Sequence, residues 1–213
     1  MAEDLLISSL GIVANLSSAV FIPLATLILG RNLLKDKKET GKYNTIRLII
    51  FSTFLNFSIL AVTEFLLRNT PFTTPFMDEL FSAEFGIYNT SVAIMVTLGL
   101  TLIFYINRWE VLHFSAIFFF AGMFFLYLFT GFYAWLEDYT TIAGAASIIF
   151  LYFTAIRMKD NGALGIAIFF TLAFSTQFVH EALLSRIIII SYVAFIVIFS
   201  LGVFKPFKQE VKT

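Results

Sequence analysis

Long apolar runs broken by short polar punctuation make up most of this chain, and the runs are longer than an ordinary core helix requires. A helix crossing a bilayer needs about 20 apolar residues, with a range of roughly 17–25. Seven runs meet or approach that length, at 5–30, 46–67, 87–107, 112–135, 141–156, 163–180 and 183–204. The first carries Pro23, the fourth the triplet Phe118-Phe119-Phe120, and the fifth a small-residue stretch, Ala143-Gly144-Ala145-Ala146-Ser147. Most connections are a few residues long. The two exceptions are a polar hinge at 31–47 and a segment at 69–86. The pattern predicts an all-α integral membrane protein, a single seven-helix transmembrane bundle covering residues 1–213.

Composition agrees. The chain is 59% hydrophobic and 13% charged, with mean hydropathy +0.90, whereas soluble domains carry roughly 25% charged residues. The 28 Phe suit side chains facing lipid, and the lack of Cys excludes disulfides, thiol redox chemistry and cysteine metal sites. A formal net charge of +0 without a basic domain argues against nucleic acid as a partner. Glu3 and Asp4 stand where a signal peptide would carry its positive region, so the first run reads as a retained helix.

Charge then gives an orientation. The hinge holds Arg31, Lys35, Lys37, Lys38, Lys42 and Arg47. On the same side fall Arg108, Arg157, Lys159, Lys205, Lys208 and Lys212, so twelve of the 14 basic residues share one face. Only Arg68 and Arg186 fall on the other. The positive-inside rule predicts that the N-terminus is outside and the C-terminus cytoplasmic, in a multi-pass protein of the cell membrane.

Two weaker patterns follow. Within 69–86, Pro75 to Phe85 mixes apolar and acidic residues at helical spacing. That predicts an interfacial helix, serving as a plain connector or as a lid over an outer cavity. Residues 48–68 and 166–186 align without gaps at Ile50/Ile168, Phe51/Phe169, Thr53/Thr171, Leu66/Leu184 and Arg68/Arg186. The match pairs the second helix with the sixth and marks a candidate 3+1+3 pseudo-repeat, an arrangement that recurs in transporters.

Charges buried in a membrane mark function by default, and the spans carry few. Their middles hold neutral polar groups instead: Asn15, Ser17, Ser18, Asn56, Ser58, Thr97, Thr101, Thr130, Thr154, Ser175, Thr176 and Gln177. Such groups commonly tie helices together, at roughly 0.6 kcal/mol per hydrogen bond. Asn56 and Gln177 stand out as a central polar pair, because an amide side chain needs several partners. The charged positions gather toward the outer ends: Glu64 and Arg68 one turn apart, His180, Glu181 and Arg186 around the last turn, with Tyr88, Asn89, Tyr133 and Trp135 beside them. Glu64, Arg68, Asn89, His180, Glu181 and Arg186 form the expected ligand-binding rim, against the plainer reading of an aromatic and polar interface belt.

Several chemistries fall away. His113 and His180 begin and end different helices on opposite sides of a hydrocarbon core of about 30 Å, so they cannot share a metal. His180 with Glu181 offers too few ligands for zinc. No phosphate loop, nucleophile elbow or zinc-protease motif is present. No catalytic residue and no cofactor is expected. The seven-helix, N-out plan resembles a microbial rhodopsin, but the last helix lacks the lysine that would bind retinal.

Two readings remain open. One is a non-enzymatic receptor, sensor or membrane-complex subunit, binding a small ligand or membrane partner near the outer face. Its plan is similar to the seven-helix input modules of some prokaryotic sensor kinases, although only Lys205 to Thr213 follows the last helix here. The alternative is a facilitative transporter or channel for a small uncharged solute. That plan resembles the seven-helix sugar-facilitator and PQ-loop group, with Pro23 in Phe21-Ile22-Pro23-Leu24 but no Pro-Gln signature.

Overall fold

A computed structural model describes residues 2–69, 87–176, 178–179 and 181–203. Among them are seven α-helices: α1 (Ala2–Thr40), α2 (Thr45–Asn69), α3 (Ile87–Ile106), α4 (Ser115–Thr130), α5 (Ala134–Met158), α6 (Asn161–Ser175) and α7 (Ala182–Ser200), with a single 3-10 turn at Glu110–Leu112. Six are long and apolar enough to cross a membrane, while α6 has 15 residues. Six such helices suggest a membrane-embedded protein.

The hinge differs most from expectation. The polar pattern ends the first helix at Gly30 and starts a hinge at Arg31, yet α1 continues through Thr40, giving 39 residues and a length of about 58 Å. Leu33 is buried on this extension, and Asp36 pairs with Arg47 of α2 at 2.5 Å. A second contact, Lys37 over the Tyr43 ring at 4.3 Å, ties the turn back on the helix. Gly41, at φ +75, closes α1 through its N–H to the Lys37 carbonyl at 2.9 Å. A positive φ of this kind is what glycine supplies at a helix C-terminus.

The boundary between the fourth and fifth helices also moves. The apolar run 112–135 hides a break at Gly131, φ +65, whose N–H reaches the Tyr127 carbonyl at 2.8 Å. Helix α5 therefore starts at Ala134 instead of 141, and Trp135, Glu137 and Asp138 lie inside it. At its other end Lys159 takes φ +50, and Asp160 caps α6 by accepting from the N–H groups of Gly162 (2.7 Å) and Ala163 (3.1 Å). Helix α6 stops at Ser175, five residues before the expected 180. The Ser175 and Thr176 hydroxyls turn back onto the Leu172 and Ala173 carbonyls at 2.8 and 2.6 Å.

Packing forms a closed circuit in the order α1, α2, α3, α5, α6, α7 and back to α1; α4 lies outside it, against α3 and α5. Paired contacts set the directions. Thr26–Ser58 and Asp36–Arg47 run α1 against α2, Phe57–Tyr192 and Phe54–Phe199 run α2 against α7, and Thr97–Tyr139 with Asn107–Thr154 run α3 parallel to α5. The turn 41–44 thus shares one end of the bundle, the hinge end, with the α3–α4 and α5–α6 connections. Phe118 and Phe129 on the outlying α4 are 74% and 85% exposed, as suits a helix clothed in lipid.

Candidate functional site

Aromatic side chains fill the middle of the circuit. Phe54 of α2 stacks on Phe169 of α6 (ring centroids 5.3 Å) and on Phe199 of α7 (6.0 Å). Phe57, one turn on, meets Phe169 at 5.7 Å and Tyr192 at 5.6 Å. Neighbouring Phe170 lies over Gly99 of α3, where a Cβ would stand 3.4 Å from its ring. Each such ring pair contributes about 0.5–1.5 kcal/mol beyond the area it buries. Helix α6 thus sends two successive rings into the centre, one toward α2 and α7, the other toward α3.

The neutral polar residues lie at the seams. Thr26 of α1 meets Ser58 of α2 at 2.6 Å and donates to the Phe54 carbonyl at 3.1 Å. Asn56 donates to both the carbonyl and the hydroxyl of Ser91 at 2.9 Å, joining α2 to α3. Thr97 meets the Tyr139 hydroxyl at 2.7 Å, Asn107 donates to Thr154 at 2.9 Å, and Thr171 donates to Tyr152 at 3.2 Å. One central candidate, Asn56, is thus committed to a helix–helix bond. The other, Gln177, lies outside the described residues. Its neighbours Ser175 and Thr176 close the end of α6 instead of lying at its middle.

The expected rim is only partly assembled. Glu64 is half-buried on α2 and has an interaction of its own. It lies seven residues beyond Phe57, on the same helical face. Arg186 lies six residues before Tyr192 on the antiparallel α7. The Phe57–Tyr192 contact therefore puts Glu64 and Arg186 at one level, about 10 Å beyond the aromatic centre toward the far end. Asn89 is not part of this layer: Asn56–Ser91 sets it opposite residue 58 of α2, about 9 Å deeper than Glu64. Glu181 is exposed at the N-cap of α7 and makes no side-chain cap bond. Arg68 lies in the last turn of α2, whose side chains here, like His180 and the lid segment 70–86, fall outside what the structure describes.

Arg186 is the unusual member. It is half-buried, and its Nε is wholly buried without a hydrogen-bond partner. The guanidinium lies against buried Gly11 of α1, where a Cβ would stand 3.4 Å from Nε and 3.7 Å from Cζ. The amide-bearing Asn15 is half-buried one turn further along α1. The sequence pattern puts Arg186 on the rim without showing its seat. The available signal was Gly11, a glycine inside an apolar helix, which marks a close approach. No group of three or more His, Cys, Asp or Glu able to hold a metal is found among the described residues.

Comparison with protein-family models, characterised proteins and solved structures finds no match to this chain.

Proposed function

We propose that the chain is a multi-pass protein of the cell membrane, N-terminus outside and C-terminus cytoplasmic. In this reading it is a receptor, sensor or membrane-complex subunit that recognises a small ligand or a membrane partner at its outer end. The observation that carries the reading is the aromatic centre. Phe54, Phe57, Phe169, Tyr192 and Phe199 occupy the depth where a transporter holds its substrate, and Asn56 is bonded to Ser91 instead of facing a path. The layer around Glu64 and Arg186 stands beyond that centre, toward the end that this reading makes the outer one. The test is reconstitution into proteoliposomes. Flux of small neutral solutes should not exceed that of empty vesicles, and Asn56→Leu should leave it unchanged. Saturable flux lost in Asn56→Leu would defeat the receptor reading.

A facilitative transporter is the second reading, and one observation favours it. Exchanging α1, α2, α3 with α5, α6, α7 maps the packing circuit onto itself, directions included, with α4 as the linker. That is the contact pattern of a parallel 3+1+3 repeat about an axis along the membrane normal.

A further inference from the structure

We infer that Arg186 is the anchoring cation for an oxyanion, a carboxylate or a phosphate, held at the outer end between α1 and α7. The inference rests on the outer-site reading above and names the chemistry of its ligand. An arginine is charged at any working pH and carries five donors. Here Nε is sealed from solvent with no acceptor, and no ion pair of this side chain is found among the described residues. Glu64 stands at the same level on α2 and has an interaction of its own, and Glu181 is exposed at the start of α7. A partly buried guanidinium whose Nε has no acceptor is costly to keep in a membrane protein, and its local seat does not repay that cost: Gly11 offers room but no side-chain acceptor. Because Gly11 lacks a side chain, the planar group lies close over α1, with Nε, Cζ and Nη2 all 3.4–3.8 Å from where a Cβ would stand, and its Nε–Nη edge carries two parallel donors. That edge matches two oxygens of a carboxylate or phosphate.

The test uses the full chain in nanodiscs, with unfolding midpoint and hydrogen exchange as readouts. The soluble arm adds sodium acetate or inorganic phosphate to phosphatidylcholine discs, with sodium chloride at equal ionic strength as control. The lipid arm compares phosphatidylglycerol with phosphatidylcholine discs without added anion. The inference expects at least one arm to raise the midpoint of the wild type by roughly 5–10 °C at 100-fold excess over Kd. Protection should appear around 8–15 and 182–190. Arg186→Gln should abolish the response, and Arg186→Lys, which keeps the charge without the fork, should retain a reduced one. Stabilisation by acetate or phosphate alone identifies a soluble ligand; stabilisation in phosphatidylglycerol alone identifies a lipid headgroup. No response in either arm overturns the inference. A response that survives Arg186→Gln but still protects the outer ends overturns the role of Arg186 and leaves the outer-site reading standing. A response confined to 31–47 overturns both.

Discussion

At the residue scale, two glycines on the packed helices make opposite predictions. A Cβ on Gly144 of α5 would stand 2.8 Å from Cε2 of Phe174 on α6, closer than side-chain carbons approach. Gly144→Ala should force Phe174 off its contact with Phe178 (ring centroids 5.1 Å) or part the two helices, lowering stability by about 1–3 kcal/mol. Gly122, midway along α4, has nothing within 4 Å of the same position, so Gly122→Ala should be neutral or add up to about 1 kcal/mol of helix propensity. Unfolding of both variants in one detergent decides the matter; a Gly144→Ala variant as stable as the wild type would show that the α5–α6 seam is looser than described. The class of each neutral polar residue was legible in the sequence. Its partner was not, because Asn56 finds Ser91 thirty-five positions away, and only the packing of α2 on α3 brings them together. Arg186 was legible as a rim charge, whereas its want of an acceptor depends on where Gly11 and Glu64 end up.

At the element scale, the number of helices could be read from run lengths, while their ends were set by backbone events that apolar periodicity does not carry. Gly131 breaks a run that reads as continuous from Leu112 to Trp135, its positive φ opening the three-residue turn between α4 and α5. Conversely, charge density from Arg31 to Thr40 looked like a loop, though Lys, Glu and Leu are good helix formers and nothing before Gly41 stops the helix. This extension makes a clear prediction. Backbone amides at 35–40 should be protected from hydrogen exchange in the wild type. Lys35→Pro, which removes a helical donor and clashes with the carbonyl four residues back at a cost of about 3 kcal/mol, should expose them. Protection within 12–28 should persist, since that part of α1 is braced by Thr26 against α2. Fast exchange at 35–40 in the wild type would restore the loop. The extension also sets how far α1 reaches: about 15 Å of it lies past Arg31, carrying Lys35, Lys37 and Lys38 beyond the apolar span.

At the scale of the whole molecule, orientation links the charge pattern to the site. Among the described residues, nine basic residues share the end that holds the hinge (the six from Arg31 to Arg47, with Arg108, Arg157 and Lys159), and Arg68 and Arg186 lie toward the other. The α1 extension carries four of them, Arg31, Lys35, Lys37 and Lys38, and is tied to α2 through Asp36–Arg47. The chain has no native cysteine, so single cysteines report sidedness without background. Lys38, exposed on the extension, and Phe132, 58% exposed between α4 and α5, mark the two ends. A membrane-impermeant maleimide applied to intact cells should label Phe132→Cys and not Lys38→Cys, and both should label after permeabilisation. Replacing Lys35, Lys37, Lys38 and Lys42 with Gln leaves, among the described residues, five basic residues against two, so the same labelling should persist, because the rule responds to the bias between sides and not to any one segment. Labelling of Lys38→Cys from outside would invert the bundle. It would turn the layer around Glu64 and Arg186 toward the cytoplasm, and any oxyanion reaching Arg186 would then have to come from within the cell.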